Sequence, residues 1–289
     1  MNPTAFALVV TGALLHATWN LLAKKASGGA PFVWLYGVVS LVIALPFGLH
    51  AWQGGDRGLS LPAWIAIAAS AITHLVYSLT LQKGYQASEF SVVYPLARGS
   101  GPLFAVCAAI LFLGERPTLL GWVGIASIIV GILLISGLAS GRLFASERAK
   151  KGIFWGGLTG LTIAGYTVVD GWAVKSLGMA PVIYYALGLA LRTALLAPKV
   201  LRDTTALRDQ WQRNAKYIVA VGVLSPLAYT LVLYAMTLAP LVYVAPAREL
   251  SMLIGVAFGA KLLRESFSIS RLIGTTLMVA GVALLAVAK

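Results

Sequence analysis

A short motif that joins a proline to an arginine occurs twice in the chain. Residues 90–98 read FSVVYPLAR and residues 240–248 read PLVYVAPAR, so that Ala97-Arg98 and Ala247-Arg248 are 150 residues apart. The same spacing relates further polar and helix-breaking positions: Asn20 and Asp170, Lys25 and Lys175, Ala30-Pro31 and Ala180-Pro181, Glu115 and Glu265, Gly124 and Gly274, and Gly131 and Gly281. Chance does not bring a charged dipeptide, a proline dipeptide and a carboxylate into one register. The chain is therefore predicted to be a duplicated half.

The composition predicts an integral membrane protein. Of the 289 residues, 59% are hydrophobic and 11% are charged, and the mean hydropathy is +0.87. Apolar stretches of about 20 residues can each cross a hydrocarbon core as a helix. The net charge of +13 comes mainly from Lys and Arg in short loops, where these residues set topology and contact anionic headgroups. We therefore expect the lipid bilayer, and not nucleic acid, as the macromolecular environment.

Apolar runs bounded by charges, Gly or Pro predict ten transmembrane helices, five in each half. The predicted spans lie near residues 4–23, 31–50, 62–82, 90–113, 119–139, 152–173, 180–198, 217–236, 241–262 and 269–288. Because five is odd, the second half must enter the membrane from the opposite side. The predicted fold is all-α, with two inverted five-helix repeats at residues 1–140 and 152–289 and a basic inter-repeat loop at residues 141–151. Inverted repeats of this kind place a substrate site near the bilayer midplane.

The distribution of Lys and Arg predicts the orientation. Fifteen of these residues follow odd-numbered spans, and four lie on the opposite face. Because cytoplasmic loops are enriched in positive charge, the odd-numbered loops are expected in the cytoplasm and both termini outside.

Away from the span ends, where Lys261 and Arg271 lie, five charged residues remain inside the predicted spans: Arg98, Arg192, Arg248, Asp170 and Glu249. A charge at such a depth is expensive and needs a partner. Arg98 and Arg248 each follow a proline, so each helix is expected to begin irregularly and to face a cavity. Their guanidinium groups are candidates for binding a substrate carboxylate or phosphate. The alternative is an ion pair that only locks two helices, such as Arg248 with Glu249 or Arg98 with Asp170. Arg192 has no counterpart in the first half, and we interpret it as reaching toward the headgroups.

Polar side chains at i, i+4 spacing mark the inward faces of the first and sixth helices, at His16 and Asn20 and at Tyr166 and Asp170. Asp170 is the first candidate for a group that binds a substrate ammonium or that titrates and couples transport to protons, and Glu249 is the second. The alternative is that Asp170 is a solvated charge at the end of its helix. Helices three and eight carry similar polar and aromatic stripes. The remaining candidates for binding a substrate are Trp19, His74, Tyr77, Tyr94 and Tyr229. The alternative for His74 is a packing role, because a single histidine inside a span is typically hydrogen-bonded within the protein.

The last helix of each half carries a smooth glycine face. Gly124 and Gly131 are seven residues apart, as are Gly274 and Gly281. This spacing predicts close helix packing. The partner is either another helix of this chain or a second subunit, and a homodimer is not otherwise indicated.

The residues LFLGERP at 111–117, followed by a Gly-rich span, and KLLRES at 261–266 resemble the signature of the EamA family of the drug/metabolite transporter superfamily. HATWN at 16–20 with Lys24-Lys25 is similar to the first helix of many bacterial members. The resemblance implies a multi-pass secondary transporter of the inner membrane that works by alternating access. It implies amino acids, aromatic ones included, or related metabolites as substrates, with exporters of the YddG type as the nearest relatives. It also implies cytoplasmic termini, in conflict with the charge count.

Other functions remain as alternatives. Relatives within the superfamily also carry drugs, nucleotide sugars and triose phosphates. A non-transporting membrane partner belongs to a different class, as does an intramembrane hydrolase built on Ser100 with His74 as its base. No Gly-x-Ser-x-Gly motif surrounds Ser100 and no ATP-binding loop is present, so we expect neither an enzyme nor a cofactor. His16, His50 and His74 have no Cys or carboxylate at metal-ligand spacing, so we expect no metal.

Overall fold

The structure, a computed structural model, describes residues 1–26, 28–53, 59–88, 90–136, 147–251 and 269–288. These residues form ten α-helices and one π-helical turn, Trp172–Ser176. The helices are α1 (Pro3–Ala26), α2 (Gly29–Gln53), α3 (Leu61–Ala87), α4 (Phe90–Leu113), α5 (Leu119–Ser136), α6 (Glu147–Gly171), α7 (Pro181–Val200), α8 (Thr204–Leu238), α9 (Leu241–Ala247) and α10 (Ile269–Val287).

Each helix overlaps one of the ten predicted spans. Among the described residues, six helices are long and apolar enough to cross a membrane, and three shorter apolar stretches lie at Phe104–Leu113, Leu119–Leu134 and Leu272–Val287. The predicted ninth span continues into residues 252–268, outside the described residues. The fold class predicted from the sequence, an all-α membrane protein of two five-helix repeats, is thus confirmed.

Helix α8 begins earlier than predicted. It starts at Thr204 rather than near residue 217, because its polar first third is still a good helix-forming sequence. The side chain of Asp203 accepts the backbone N–H of Ala206 at 2.9 Å and caps this end. The first three turns therefore extend the helix beyond its apolar part.

The packing of the two halves follows a pseudo-two-fold axis. Helix α1 packs on α8, and the counterpart of α1, which is α6, packs on α3, the counterpart of α8. The counterparts α2 and α7 pack on each other, as do α5 and α10. We call the side that carries the termini and the loops after α2, α4, α6 and α8 the even-loop face. The opposite side is the odd-loop face.

The glycine faces of α5 and α10 pack against each other. A Cβ atom on Gly131 would lie 2.6 Å from the carbonyl oxygen of Gly274, and one on Gly281 would lie 2.7 Å from that of Gly124. Such distances leave no room for a side chain between the two backbones. The predicted close packing is confirmed, and its partner is a helix of the same chain.

Candidate functional site

A cavity lies between the two repeats, and its described walls come from α1, α2, α3, α6, α7 and α8. Arg98 on α4 and Arg248 after α9, which the sequence predicted to face a cavity, are not among its described lining residues. The described lining residues are mostly aromatic or basic: His16, Trp19, Tyr36, His74, Tyr77, Ser78, Tyr166, Tyr185, Arg192, Ser225 and Tyr229. A second, smaller cavity shares Tyr36, Ser78 and Arg192 and continues toward the odd-loop face.

The aromatic wall is a set of rings that hold each other in place. The His74 ring stacks on Tyr166 at a centroid distance of 3.9 Å and meets Tyr229 edge-on at 5.0 Å. Tyr77 meets Tyr166 edge-on at 5.5 Å. Such contacts favour fixed ring positions, so the wall is a preformed surface for a flat apolar group.

Arg192 supplies the positive charge of the cavity. It lies in all three of the cavities that cluster here. Its guanidinium donates to the Tyr185 hydroxyl at 3.2 Å and lies 5.5 Å from the centre of that ring. The interpretation that Arg192 reaches toward the headgroups was wrong, because Tyr185 lies seven residues earlier on the same face of α7 and holds the side chain inward.

Asp170 is fully buried beside the cavity rather than in its lining. Its carboxylate is hydrogen-bonded to His74 Nε2 at 3.0 Å and accepts from the hydroxyl of Tyr184 at 2.5 Å and from that of Tyr229. Three donors of this kind stabilise the ionised carboxylate. His74 and Tyr229 line the cavity, so they connect it to the buried charge.

Arg98 and Glu249 form a buried ion pair. Arg98 Nε lies 2.8 Å from Glu249 Oε2, and the two side chains are 3% and 1% exposed. Arg98 also donates to Ser251 at 2.6 Å and contacts His16 Nε2 at 3.2 Å. Because arginine can only donate, His16 accepts through Nε2 in its neutral form. An ion pair exists, as the alternative reading held, but Arg98 pairs with Glu249 and not with Asp170.

Arg248 occupies the position in the second repeat that matches Arg98, yet its surroundings differ. Its guanidinium donates to the Tyr166 hydroxyl at 3.2 Å and lies 5.8 Å from the centre of that ring. Among the described residues, its Nε and one terminal nitrogen have no hydrogen-bond partner, although the residue is 2% exposed. Arg248 therefore lies behind Tyr166 with unused donors.

Pro95 and Pro246 have different effects on their helices. Helix α9 ends at Ala247, directly after Pro246, and Arg248 and Glu249 lie in a turn. The irregular backbone predicted there is confirmed. Helix α4 continues through Pro95 to Leu113, so the irregular start predicted for it was wrong. A proline near the start of a helix removes few hydrogen bonds, and the rest of α4 compensates for them.

The remaining predicted residues fall outside the cavity or outside the description. The side-chain amide of Asn20 donates to the His16 carbonyl of its own helix at 2.8 Å. The side chain of Tyr94 lies outside the described residues. Sequence reasoning missed Tyr36, Tyr184, Tyr185 and Arg192. The seven-residue spacing of Tyr185 and Arg192 in an apolar helix was the signal that could have found the last two.

The even-loop face is closed by a polar clamp centred on Glu115. One carboxylate oxygen accepts from Lys175 at 2.6 Å and from the backbone N–H of Leu241 at 2.9 Å, and the other accepts from Val242 at 2.9 Å. Nearby, the Tyr243 hydroxyl accepts the backbone N–H of Thr118 at 3.1 Å. The clamp joins the α4–α5 connection, the π-helical turn and the start of α9.

The described part of the chain holds no group of three His, Cys, Asp or Glu residues close enough to share an ion. Its cavity offers aromatic surface, the Arg192 guanidinium and hydroxyl groups. These groups suit reversible binding of a small organic solute.

Comparison with known proteins agrees with this fold. The model of the EamA-like transporter family matches residues 3–137 and 150–287, and the chain belongs to this family. The protein is therefore a multi-pass membrane transporter of small molecules. One solved crystal structure of a protein has the same fold, with a TM-score of 0.75 and 17% sequence identity over 99% of each chain.

A shorter match was found among curated proteins. The chain is similar to the uncharacterized protein y4nH of Sinorhizobium fredii (strain NBRC 101917 / NGR234), with 36% identity over 58 residues. The match covers 20% of this chain and 50% of that relative, so the chain spans about half the length of the curated relative it matches. It adds nothing on the substrate.

Proposed function

We propose that the protein exports aromatic amino acids or related aromatic carboxylates across the bacterial inner membrane as a secondary transporter. The observation that carries this proposal is the cavity between the repeats, whose described walls hold five tyrosines, Trp19 and one guanidinium. Ligand sites are mostly apolar and use a few polar groups to orient the ligand. Aromatic rings match the apolar body of the solute, and Arg192 matches its carboxylate.

The transport cycle that we propose is alternating access between the two inverted repeats. In the conformation described here, the Glu115 clamp closes the even-loop face, and the cavities around Arg192 extend toward the odd-loop face. Release on the other side requires the clamp to open. Arg248 lies directly behind Tyr166, so a movement of that ring would present its unused donors to the solute.

We assign proton coupling to Asp170 rather than to Glu249. Glu249 is held by Arg98, whereas Asp170 is linked through His74 and Tyr229 to the cavity wall. A change in the protonation of Asp170 would therefore alter the hydrogen bonds of two residues that touch the solute. This connection gives the carboxylate a physical route to the binding site.

The test is a substrate screen in proteoliposomes, with and without a pH gradient. We expect counterflow of labelled phenylalanine and tryptophan and of aromatic carboxylates, and no counterflow of a sugar phosphate. Tyr229→Ala removes a ring from the cavity wall and should abolish the counterflow. Tyr234→Ala changes a tyrosine of the same helix that is 40% exposed to the surroundings, so it is the matched control and should transport normally. Transport of the sugar phosphate alone would disprove the proposal.

A further inference from the structure

The charges around the cavity do not balance. Among the described residues, three arginines, Arg98, Arg192 and Arg248, lie within the spans close to the cavity, against two carboxylates, Asp170 and Glu249. With both histidines neutral, one positive charge is in excess. An uncompensated charge within a membrane is costly and calls for a partner. A bound anion would supply that partner.

Both carboxylates are occupied. Asp170 is 0% exposed and engaged by three donors, and Glu249 is 1% exposed and paired with Arg98. None of the described residues that line the cavity is acidic. An ammonium group that entered the cavity would therefore face no carboxylate of this described lining, while the Arg192 guanidinium would repel it.

Two of the ring faces near the cavity are already occupied by cations. A ring face can attract a cation, and the Arg192 and Arg248 guanidinium groups lie 5.5 Å and 5.8 Å from the centres of Tyr185 and Tyr166. An amino acid would bring a third cation close to these two. Its carboxylate would be bound, and its ammonium would lose hydration with no carboxylate in the described lining to compensate for it.

We infer that the cavity is selective for aromatic monoanions without an ammonium group, such as the deaminated analogues of aromatic amino acids. This inference rests on the proposed function and narrows its substrate class. Arg192, with one hydrogen bond to Tyr185 and five N–H donors in total, binds the carboxylate, and the His74, Tyr166 and Tyr229 rings contact the aromatic group.

Calorimetric titration of the purified protein tests this selectivity with three compounds that share one skeleton. These are 3-phenylpropanoate, phenylalanine and phenethylamine, which carry the carboxylate alone, both groups and the ammonium alone. We expect 3-phenylpropanoate to bind at least about tenfold tighter than phenylalanine. Leaving the ammonium of phenylalanine unpaired costs about 1.4 kcal/mol or more, which corresponds to a tenfold loss of affinity. Phenethylamine should not bind. Binding is measured rather than flux alone, because the neutral acid crosses lipid without a protein.

Variants of one residue identify the anion site. Arg192→Gln should weaken 3-phenylpropanoate binding by about tenfold or more, and Arg192→Lys should retain part of it. Arg213→Gln, at a side chain that is 76% exposed on α8, is the control and should bind as the unchanged protein does. Melting temperatures of all variants show that they are folded.

The outcomes separate the inference from the function on which it rests. Phenylalanine binding as tight as that of 3-phenylpropanoate, or tighter, would overturn the monoanion selectivity and leave aromatic transport standing. Unchanged binding in Arg192→Gln would overturn the assigned anion site. If neither carboxylate binds nor shows counterflow, the proposed function fails as well.

Discussion

Arg98 and Arg248 show how identical residues at matched positions of a repeat acquire different roles. Arg98 is engaged by Glu249, Ser251 and His16, whereas Arg248 contacts Tyr166 and retains unused donors among the described residues. A saturated guanidinium is suited to hold helices together. A guanidinium with free donors is suited to bind a ligand that arrives from outside.

This difference predicts different phenotypes for the two glutamine variants. Arg98→Gln should destabilise the protein by about 3–5 kcal/mol, because it leaves Glu249 buried without its ion-pair partner. Arg248→Gln should keep most of the stability and lose transport. Thermal unfolding in detergent and counterflow in liposomes measure the two effects. The double variant Arg98→Gln with Glu249→Gln removes both charges and should recover stability. Normal transport by Arg248→Gln would show that Arg248 does not bind the solute.

Asp170→Asn tests the proposed proton coupling. An asparagine has the same shape, and its amide oxygen can still accept from Tyr184 or Tyr229, but it cannot titrate. We expect this variant to lose net transport driven by a pH gradient and to retain exchange of solute between the two sides. Tyr184→Phe removes one donor and keeps the carboxylate, so it should retain gradient-driven flux. Unchanged gradient-driven flux in Asp170→Asn would exclude the residue as the coupling site.

At the scale of helices, the contact between α5 and α10 depends on glycine. Gly131→Ala places a methyl group 2.6 Å from the Gly274 backbone carbonyl, so the two helices must separate, at a cost of about 1–3 kcal/mol. Gly157→Ala on α6 meets no atom within 4 Å and should be neutral or stabilise the helix by up to about 1 kcal/mol. Thermal unfolding of both variants in one detergent gives the comparison. Equal melting temperatures would show that the contact is not tight in solution.

The helices and their contacts also show which features could be predicted from the sequence. The helices and their inverted arrangement could be predicted from the apolar runs and from the 150-residue repeat. Apolar runs depend on local composition, and the inversion follows from the odd number of spans in each half. The glycine contact could be predicted as well, since only small residues permit it. The ion-pair partner of Arg98 could not be predicted, because an ion pair between α4 and the turn after α9 depends on tertiary packing. Arg192 was misread because it has no counterpart in the first half, where position 42 is Val42.

At the scale of the whole molecule, the two termini lie together. The Met1 amino group donates to the backbone carbonyls of Ala286 and Ala288 at 2.8 and 2.7 Å, so the start of α1 contacts the end of α10. This contact agrees with an even number of crossings and places both ends on the even-loop face. The Glu115 clamp belongs to the same face. The orientation of the protein in the membrane therefore decides which compartment the closed side faces.

A topology reporter measures that orientation. Lys and Arg are concentrated in the odd-numbered loops, fifteen against four, and positive charge is retained in the cytoplasm during insertion. We therefore expect a reporter fused after Lys289 to behave as periplasmic and one inserted within residues 141–151 to behave as cytoplasmic. In that orientation, the cavities around Arg192 extend toward the cytoplasm, from which an exporter must load. A cytoplasmic reporter at the C-terminus would reverse this assignment. The Glu115 clamp would then close the cytoplasmic side, and the basic loops would serve binding or anionic headgroups rather than insertion.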